Sequence, residues 1–306
     1  MRLLYKSVNM ETMKPYMDLW SKTAQKSSDY SSGVLLCWER ALSYQFAFEE
    51  DEDLVWIRGR YPEGMVPPGE SAEHHLAPVG RWECDDWEDL IGARFGDTSE
   101  FQLVPERLAE IWKSQMGDRV TLVENRASWE YLHHVKDLAE LSGKEYVKKR
   151  NRINQFVKQN PYEYVPITEE LLPRIVEFQR AWADSYRIFN DSGSIERESE
   201  GIVRNILGKW SDLPQMMGGA LEVLGHIVAY TVAEAVDDQI MIHFEKASLE
   251  YPAAYQVINH EFLLHQGRDF ETVNREEDMD DPGLRDAKMS YHPYGFVKKY
   301  TAKITL

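Results

Sequence analysis

Cysteine is nearly absent from this chain: Cys37 and Cys84 are the only two among 306 residues. They lie far apart and in no CxxC arrangement, which argues against a disulfide framework and against a structural zinc site. Cys37 sits in the apolar run Val34-Leu-Leu-Cys-Trp38 and reads as a small buried hydrophobe. Long apolar runs are missing too, since none approaches the roughly 20 residues that span a bilayer. The start, Met1-Arg-Leu-Leu-Tyr-Lys-Ser7, has neither the apolar core nor the small-residue cleavage site of a signal peptide. The expected location is therefore the cytoplasm. Positive charge is also scarce, with 35 Lys and Arg against 52 Asp and Glu and a net charge of -17. Such a balance argues against general, sequence-independent nucleic-acid binding. There is no GxSxG, P-loop or dinucleotide fingerprint, and no short-period repeat of a solenoid.

What is present is ample core material: 43% hydrophobic residues, nine Trp and sixteen Tyr. The length suggests about two domains. In the first half, Ala41 to Phe48 and Leu54 to Arg58 flank the acidic turn Glu49–Asp53 and read as a hairpin. The loop Tyr61–Gly69 follows, then a helix over Asp86 to Arg94, a strand Phe101 to Val104, a helix from Pro105 to Gln115 and a strand Val120 to Glu124. Pro105 suits a first helical position, where its missing N–H is not needed. The second half opens with helices over Ile167 to Ala183 and Glu196 to Trp210. A hairpin turns about Gly225, and the strand Gln239 to Glu245 comes next. A helix from about Ala253 can end at Gly267 in a left-handed cap. Strands over Phe270 to Asn274 and Lys299 to Thr305 close the chain. The same order of elements recurs in both halves. It favours two α/β domains with mostly antiparallel sheets, over residues 1–140 and 141–306, joined by a linking helix over about 143–158.

That linking stretch holds six basic residues from Lys144 to Lys158 and one acid, Glu145. Tyr146, Ile153, Phe156 and Val157 fall on one side of a helix, while Lys144, Lys148 and Arg152 run along another at four-residue steps. Arg150 points toward the packed side, where it needs an acidic or carbonyl partner or a substrate anion. An interdomain salt bridge is one reading of it.

The richest polar block is Val273-Asn-Arg-Glu-Glu-Asp-Met-Asp-Asp-Pro-Gly-Leu-Arg-Asp-Ala-Lys-Met-Ser-Tyr-His-Pro293. So many opposite charges beside apolar segments must pair if they are buried. Structural ion pairs explain such a block, and so does a site for a charged substrate. Other motifs are weak. The histidines of His260-Glu-Phe-Leu-Leu-His265 are five apart, about 500° of helix, so the rings diverge and no metal is expected.

Several segments together resemble the phosphatidylglycerol lysyltransferase C-terminal domain family. They are Leu141-Ser-Gly-Lys…Lys-Arg-Asn-Arg-Ile-Asn-Gln-Phe156, His243-Phe-Glu-Lys-Ala247, Ala254-Tyr-Gln-Val-Ile-Asn-His-Glu-Phe262 and the block ending at Pro293, with weaker likeness at Ser28-Asp-Tyr30 and Val66-Pro-Pro-Gly69. The resemblance implies two tandem GNAT folds, an arrangement shared with the Fem aminoacyltransferases. It also implies an acyltransferase that moves an aminoacyl group, with aminoacyl-tRNA as donor, to a hydroxyl or amine such as that of a lipid headgroup. The family motif Leu-Arg-x-Phe-Lys-x-Lys-Phe-x-Pro matches Leu284-Arg-Asp-Ala-Lys288…Pro293. It carries Lys288 over as the cation facing an open pocket, where it steadies charge on the transferring carbonyl. Glu245, at a strand exit, is the expected proton acceptor. Arg150, Asn151, Lys246, Tyr255, Asn259, Asn274, Arg275, Glu277, Arg285, Tyr291 and His292 form the expected substrate-binding set. Asp278 or Glu277 is expected to support Lys288. Lys144, Lys148, Lys149 and Arg152 form the expected tRNA-facing patch. No cofactor is expected. Acyl-CoA is the weaker donor, because Lys246–Ala254 contains no glycine to cradle a pyrophosphate and Glu250 would repel it. A non-catalytic binding module that retains the fold is the reading from another class.

Overall fold

A computed structural model describes residues 3–64, 66, 71–189, 201 and 203–306. The chain forms two compact units: Met1–Glu130 with Glu277–Asp280 and Val297–Leu306, and Tyr131–Glu276 with Asp281–Phe296. Among the described residues fourteen strands run through them: β1 (Lys6–Ser7), β2 (Gln45–Glu49), β3 (Leu54–Arg60), β4 (Glu73–Gly80), β5 (Thr98–Pro105), β6 (Val120–Glu124), β7 (Glu130–His134), β8 (Tyr162–Pro166), β9 (Met216–Val223), β10 (His226–Val236), β11 (Gln239–Ala247), β12 (Thr272–Asn274), β13 (Gly295–Val297) and β14 (Lys299–Thr305). One sheet has the order β1-β2-β3-β4-β5-β14-β6, and the other, read from its opposite end, β8-β9-β10-β11-β12-β7-β13. Position by position the two orders match. Parallel pairing also recurs at the same place, β4 with β5 and β11 with β12. The sixth place in each sheet is filled by a strand from the opposite half of the chain, β14 in one and β7 in the other. Each sheet is therefore completed by a reciprocal exchange of one strand.

Among the described residues the helices with assigned bounds are α1 (Met10–Lys22), α2 (Ser32–Leu42), α3 (Trp87–Phe95), α4 (Glu106–Met116), α5 (Val135–Glu140), α6 (Val147–Gln159), α7 (Leu172–Phe189), α8 (Ala254–Gln266) and α9 (Pro282–Met289). Their starts follow local chemistry. Asn9 and Thr12 make a capping box on α1, Asp86 caps α3 and Asp281 caps α9. Pro105 is the cap residue of α4 (φ -63°, ψ 147°) and not its first helical residue. The β9–β10 turn has Leu224 at φ 52° and Gly225 at φ 80°, the pair of positive angles that a tight hairpin needs. Gly267 ends α8 at φ -88°, outside the left-handed region expected for it. A Cβ there would stand 2.6 Å from the Leu263 carbonyl oxygen and 2.9 Å from Val135 Cγ1, so close packing explains this glycine. Of the helix expected over Glu196 to Trp210, residues 201 and 203–207 are helical and Trp210 opens a short 3-10 turn, while residues 196–200 and 202 lie outside the described residues, as do Pro67–Gly69.

In the first unit an aromatic core joins Trp56 to Trp87 (6.3 Å between ring centres), Trp87 to Trp112 (5.6 Å) and Phe101 to Trp112 (5.1 Å). Lys299, on the exchanged strand β14, is fully buried between Asp29 and Glu130, with Glu130 at 2.8 Å. The Glu130 carboxylate also accepts from Ser27 Oγ (2.7 Å) and the Ser28 N–H (2.9 Å). In the second unit α8 lays Val257, Ile258, Phe262 and Leu263 into a core that includes Ala229, Ala233, Ile240 and Ile242. Ile153 and Phe156 of α6 join it. Val157, expected on the packed side, is 45% exposed. Lys144 precedes the helix, which begins at Val147, so the row of basic residues at four-residue steps is shorter than the sequence suggested.

Candidate active site

The parallel ladder between β11 and β12 covers three residue pairs and stops at Met241 and Asn274. Beyond it β11 runs on to Ala247, while the backbone after β12 turns away. The turn is set locally. Asn274, fully buried, accepts the Glu276 N–H on Oδ1 at 2.9 Å, and Glu276 takes up φ 55°. The backbone of Tyr131 accepts from Arg275 N (2.9 Å) and donates to Glu276 O (3.2 Å). Arg275 and Glu276 are thereby held where the two strands part, a place where ligands gather in open α/β sheets.

Their side chains meet two residues of β11. His243 lies between two carboxylates, with Nδ1 2.7 Å from Glu276 Oε1 and Nε2 3.1 Å from Glu234 Oε2. The His243 and Glu234 side chains are 1% and 0% exposed. Burial disfavours a charged ring there, but the hydrogen bonds to Glu234 and Glu276 outweigh it and raise His243 from 6.5 to about 10. The ring is an imidazolium that donates from both nitrogens. Two residues along, Glu245 accepts from Arg275 Nη2 (3.1 Å) on one oxygen and from Asn259 Nδ2 (3.0 Å) on the other. Arg275 Nη1 and Asn259 Oδ1 are buried and have no hydrogen-bond partner among the described residues.

Tyr291, just after α9, is the second centre. Its ring lies 4.8 Å from the Arg275 guanidinium and 3.7 Å from Lys149 Nζ. Its carbonyl accepts from Tyr146 Oη (3.0 Å) and lies 3.2 Å from His133 Nδ1. Burial, then the charges of Arg275, Lys288 and His292, hold His133 down at about 3, so its ring is neutral. A carbonyl can only accept, which places the proton on Nδ1 and leaves Nε2 as a buried lone pair without a partner among the described residues. Lys149 donates to Ser290 Oγ at 2.6 Å. Burial, with Arg275 and Arg152 nearby, lowers it from 10.5 to about 8. Burial also pushes the Tyr291 hydroxyl up to about 12.

The remaining expected residues sort as follows. Lys288 reaches inward: it is 8% exposed, Nζ donates to the Arg275 carbonyl at 2.6 Å, and the Tyr131 ring lies 5.8 Å away. An ammonium buried this way needs such acceptors, so the open pocket expected before it gives way to a packed setting. Among the described residues Arg150 neither bridges to a carboxylate nor reaches this group. Its guanidinium donates to the carbonyls of Leu141 and Gly143 (2.7 Å for the latter), the carbonyl alternative for a packed arginine. Lys246 Nζ lies 4.2 Å over the Trp182 ring. Tyr255 and His292 are exposed, His292 with its ring centre 5.5 Å from that of Tyr146, and Arg285 is half-buried. Asn151 lines a shallow cavity of about 310 Å³ with Asn154, Gln155, Lys158 and Gln159 on α6. Glu277 and Asp278 belong to the first unit, where Asp278 pairs with Arg126 at 3.0 Å. Glu234, His243, Glu276 and His133 were not among the expected site residues. The available signal was Glu234, an acid in the otherwise apolar run Val232-Ala-Glu-Ala-Val236, which must have a buried partner.

Residues 20–303 match the family described as phosphatidylglycerol lysyltransferase, C-terminal. The chain belongs to that family. It is similar over 99% of its length, at 26% identity and a TM-score of 0.86, to all of a conserved protein of unknown function from Bacteroides thetaiotaomicron VPI-5482. The L-PGS of Bacillus licheniformis shares the fold at 14% identity and a TM-score of 0.62, covering 98% of this chain and 93% of that one. FemX shares it at 8% identity and 0.51, covering 99% and 98%. The fold is the tandem GNAT arrangement, two mixed sheets of matching strand order. Among the described residues no helix is long and apolar enough to cross a membrane, and no three His, Cys, Asp or Glu are placed to hold a metal ion.

Proposed function

We propose that this protein is an acyltransferase that passes an aminoacyl group, carried by tRNA, to a hydroxyl or amine acceptor. The observation that supports it most is the Arg275–Glu245–Asn259 group at the parting of β11 and β12, with buried donor and acceptor atoms that have no partner among the described residues. Fixed, desolvated polar groups of that kind orient a reacting ester without reorganising at the moment of reaction. The membership in a lysyltransferase family agrees with it.

In this reading Glu245 accepts the proton of the attacking hydroxyl or ammonium. Its two hydrogen bonds fix the carboxylate orientation before substrate arrives. Lys288 supplies positive charge behind Arg275, held through the Arg275 carbonyl, and opposes the negative charge that grows on the transferring carbonyl. Arg275 and Asn274 set the substrate's position, Arg275 directly and Asn274 by shaping the turn. Lys148 and Arg152, both exposed on α6, meet the tRNA.

The test is a screen of the purified protein against charged tRNAs and acyl-CoA thioesters, with mass detection of product. Aminoacyl product from tRNA is the expected result, and Lys288→Ala is expected to lower turnover by about 100-fold or more, as loss of one charge-stabilising donor does. Turnover that survives Lys288→Ala would sink the mechanism. Product from acyl-CoA alone would move the donor to that class. One observation favours a second reading, a binding module: both oxygens of Glu245 are already engaged within the fold.

A further inference from the structure

Among the described residues the two sheets end in four edge strands, β1, β6, β8 and β13. An open edge is a template for another strand, and proteins blunt their edges with short strands, proline or charge. Three of the four are treated that way. β1 is two residues long and β13 three, while β8 follows Pro161 and ends on Pro166. β6, Val120-Thr-Leu-Val-Glu124, has five residues and neither proline nor lysine, and Val123 is 49% exposed. Its hydrogen-bond phase follows from its neighbour. The Asn125 N–H donates to the Lys299 carbonyl, so Thr121 and Val123 make the rungs to β14. The Leu306 N–H on the Asp97 carbonyl agrees, because it turns Ala302 and Ile304 of β14 toward β5. Val120, Leu122 and Glu124 therefore point their backbone groups to the open side. Val120 is occupied there, its N–H by the Gly117 carbonyl and its carbonyl by Lys113 Nζ at 2.9 Å. Leu122 and Glu124 present N–H and C=O groups with no partner among the described residues.

We infer that β6 pairs with β6 of a second copy of this chain, antiparallel about Leu122, so that two seven-stranded sheets join across a two-fold axis. The edge is complementary to itself in backbone, side chains and charge. Leu122 sets its N–H and C=O opposite those of Leu122 in the other copy, and the Glu124 N–H falls opposite the Val120 carbonyl. Thr121 and Val123, both exposed, become a cross-strand pair of β-branched residues, formed twice. Glu124 lies on the same face of β6 as buried Val120, the face against α4. Lys113 of α4 already stands at the Val120 carbonyl, the place that Glu124 of the other copy comes to face. Its acid within the chain is Asp118, 3.8 Å away and fully exposed. Self-pairing thus makes two Lys113–Glu124 pairs by symmetry. A foreign strand satisfies the same backbone groups, but a second copy also brings an acid to each Lys113. One five-residue strand pair buries less than a standard interface, so the association is weak and grows with concentration. The inference is independent of the acyltransferase reading, because assembly is measured without turnover.

The test is sedimentation velocity of the full-length chain over a concentration series, at physiological salt so that the net charge of -17 is screened. A dimer that dissociates on dilution is the expected result. Leu122→Pro removes an outward N–H and spares every rung to β14, so it is expected to leave a monomer. Lys113→Glu and Glu124→Lys are each expected to weaken the dimer by about tenfold, the scale of two exposed ion pairs turned into repulsions. The double variant, Lys113→Glu with Glu124→Lys, is expected to recover the association of the parent chain. Circular dichroism checks the fold of each variant. Should Leu122→Pro not fold, the charge exchange at two exposed positions decides alone. A chain that stays monomeric throughout the series would overturn the inference and leave the edge to a strand of another protein. A dimer indifferent to these substitutions would overturn it as well, by placing the contact elsewhere. So would single reversals whose losses the folded double variant does not recover.

Discussion

Replacing His243 by glutamine tests a buried imidazolium held between two carboxylates in the second unit. The neutral amide keeps hydrogen-bonding atoms in place but removes the positive charge between Glu234 and Glu276. The magnitude follows from the structure in two ways. A ring raised from 6.5 in the unfolded chain to about 10 in the fold corresponds to about 5 kcal/mol of linked stability. Independently, removing one partner from a buried ion pair costs about 3–5 kcal/mol, because the carboxylates left behind stay desolvated. The sign is fixed as well. The folded value lies above the unfolded one, so this stability is fully present below pH 6.5. It drains away as pH rises, by about 1.4 kcal/mol per pH unit, and is gone above about pH 10. Urea unfolding of wild type and His243→Gln at steps from pH 6 to pH 10 provides the assay, and the difference between the two curves removes every other titrating group. The gap should be several kcal/mol at pH 6 and close toward pH 10. Parallel curves would mean that the ring is neutral in the fold and that the two carboxylates are satisfied some other way.

Two further substitutions probe the packing of the units. Lys299→Met leaves Glu130 buried and Asp29 partly buried without their cation and should destabilise the first unit by about 3–5 kcal/mol in urea unfolding. Gly267→Ala places a methyl 2.6 Å from the Leu263 carbonyl and 2.9 Å from Val135 Cγ1, so about 1–3 kcal/mol should be lost in thermal unfolding. If it costs nothing, α5 and α8 can separate more easily than their packing implies.

The sequence pattern exposed most of the local elements for physical reasons that hold in isolation. Alternation in Gln239–Glu245, the glycine of the β9–β10 turn and the proline before α8 each act within a few residues. Glu245, Asn259 and Arg275 come from a strand, a helix and a turn, and the structure brings the three side chains into one hydrogen-bonded group. Asn274 illustrates what spacing could not convey. Its type suggested a ligand-facing amide, yet its oxygen bends the backbone of Glu276 and so aims its neighbours. Lys149 shows the converse, since it directly follows exposed Lys148 and the helical turn carries it onto Tyr291.

The strand exchange was hidden for a deeper reason. A period of two tells which face of a strand is buried but not which sheet receives it. Lys299–Thr305 alternates equally well beside either set of neighbours. What decides its place is charge. Lys299 enters the first sheet fully buried, and there it finds Glu130 and Asp29, with serine donors completing the Glu130 carboxylate. Put in a site without acids, the same lysine would be an unpaired ion in an apolar core, at a cost of several kcal/mol. Glu130 opens β7, the strand given in return, so the residue that fixes β14 lies where the chain crosses to the other sheet. The exchange and the buried ion group thus specify one another. A long-range pairing of this kind leaves one trace in the sequence, a charged residue at each end of the exchange where alternation alone would have placed an apolar one.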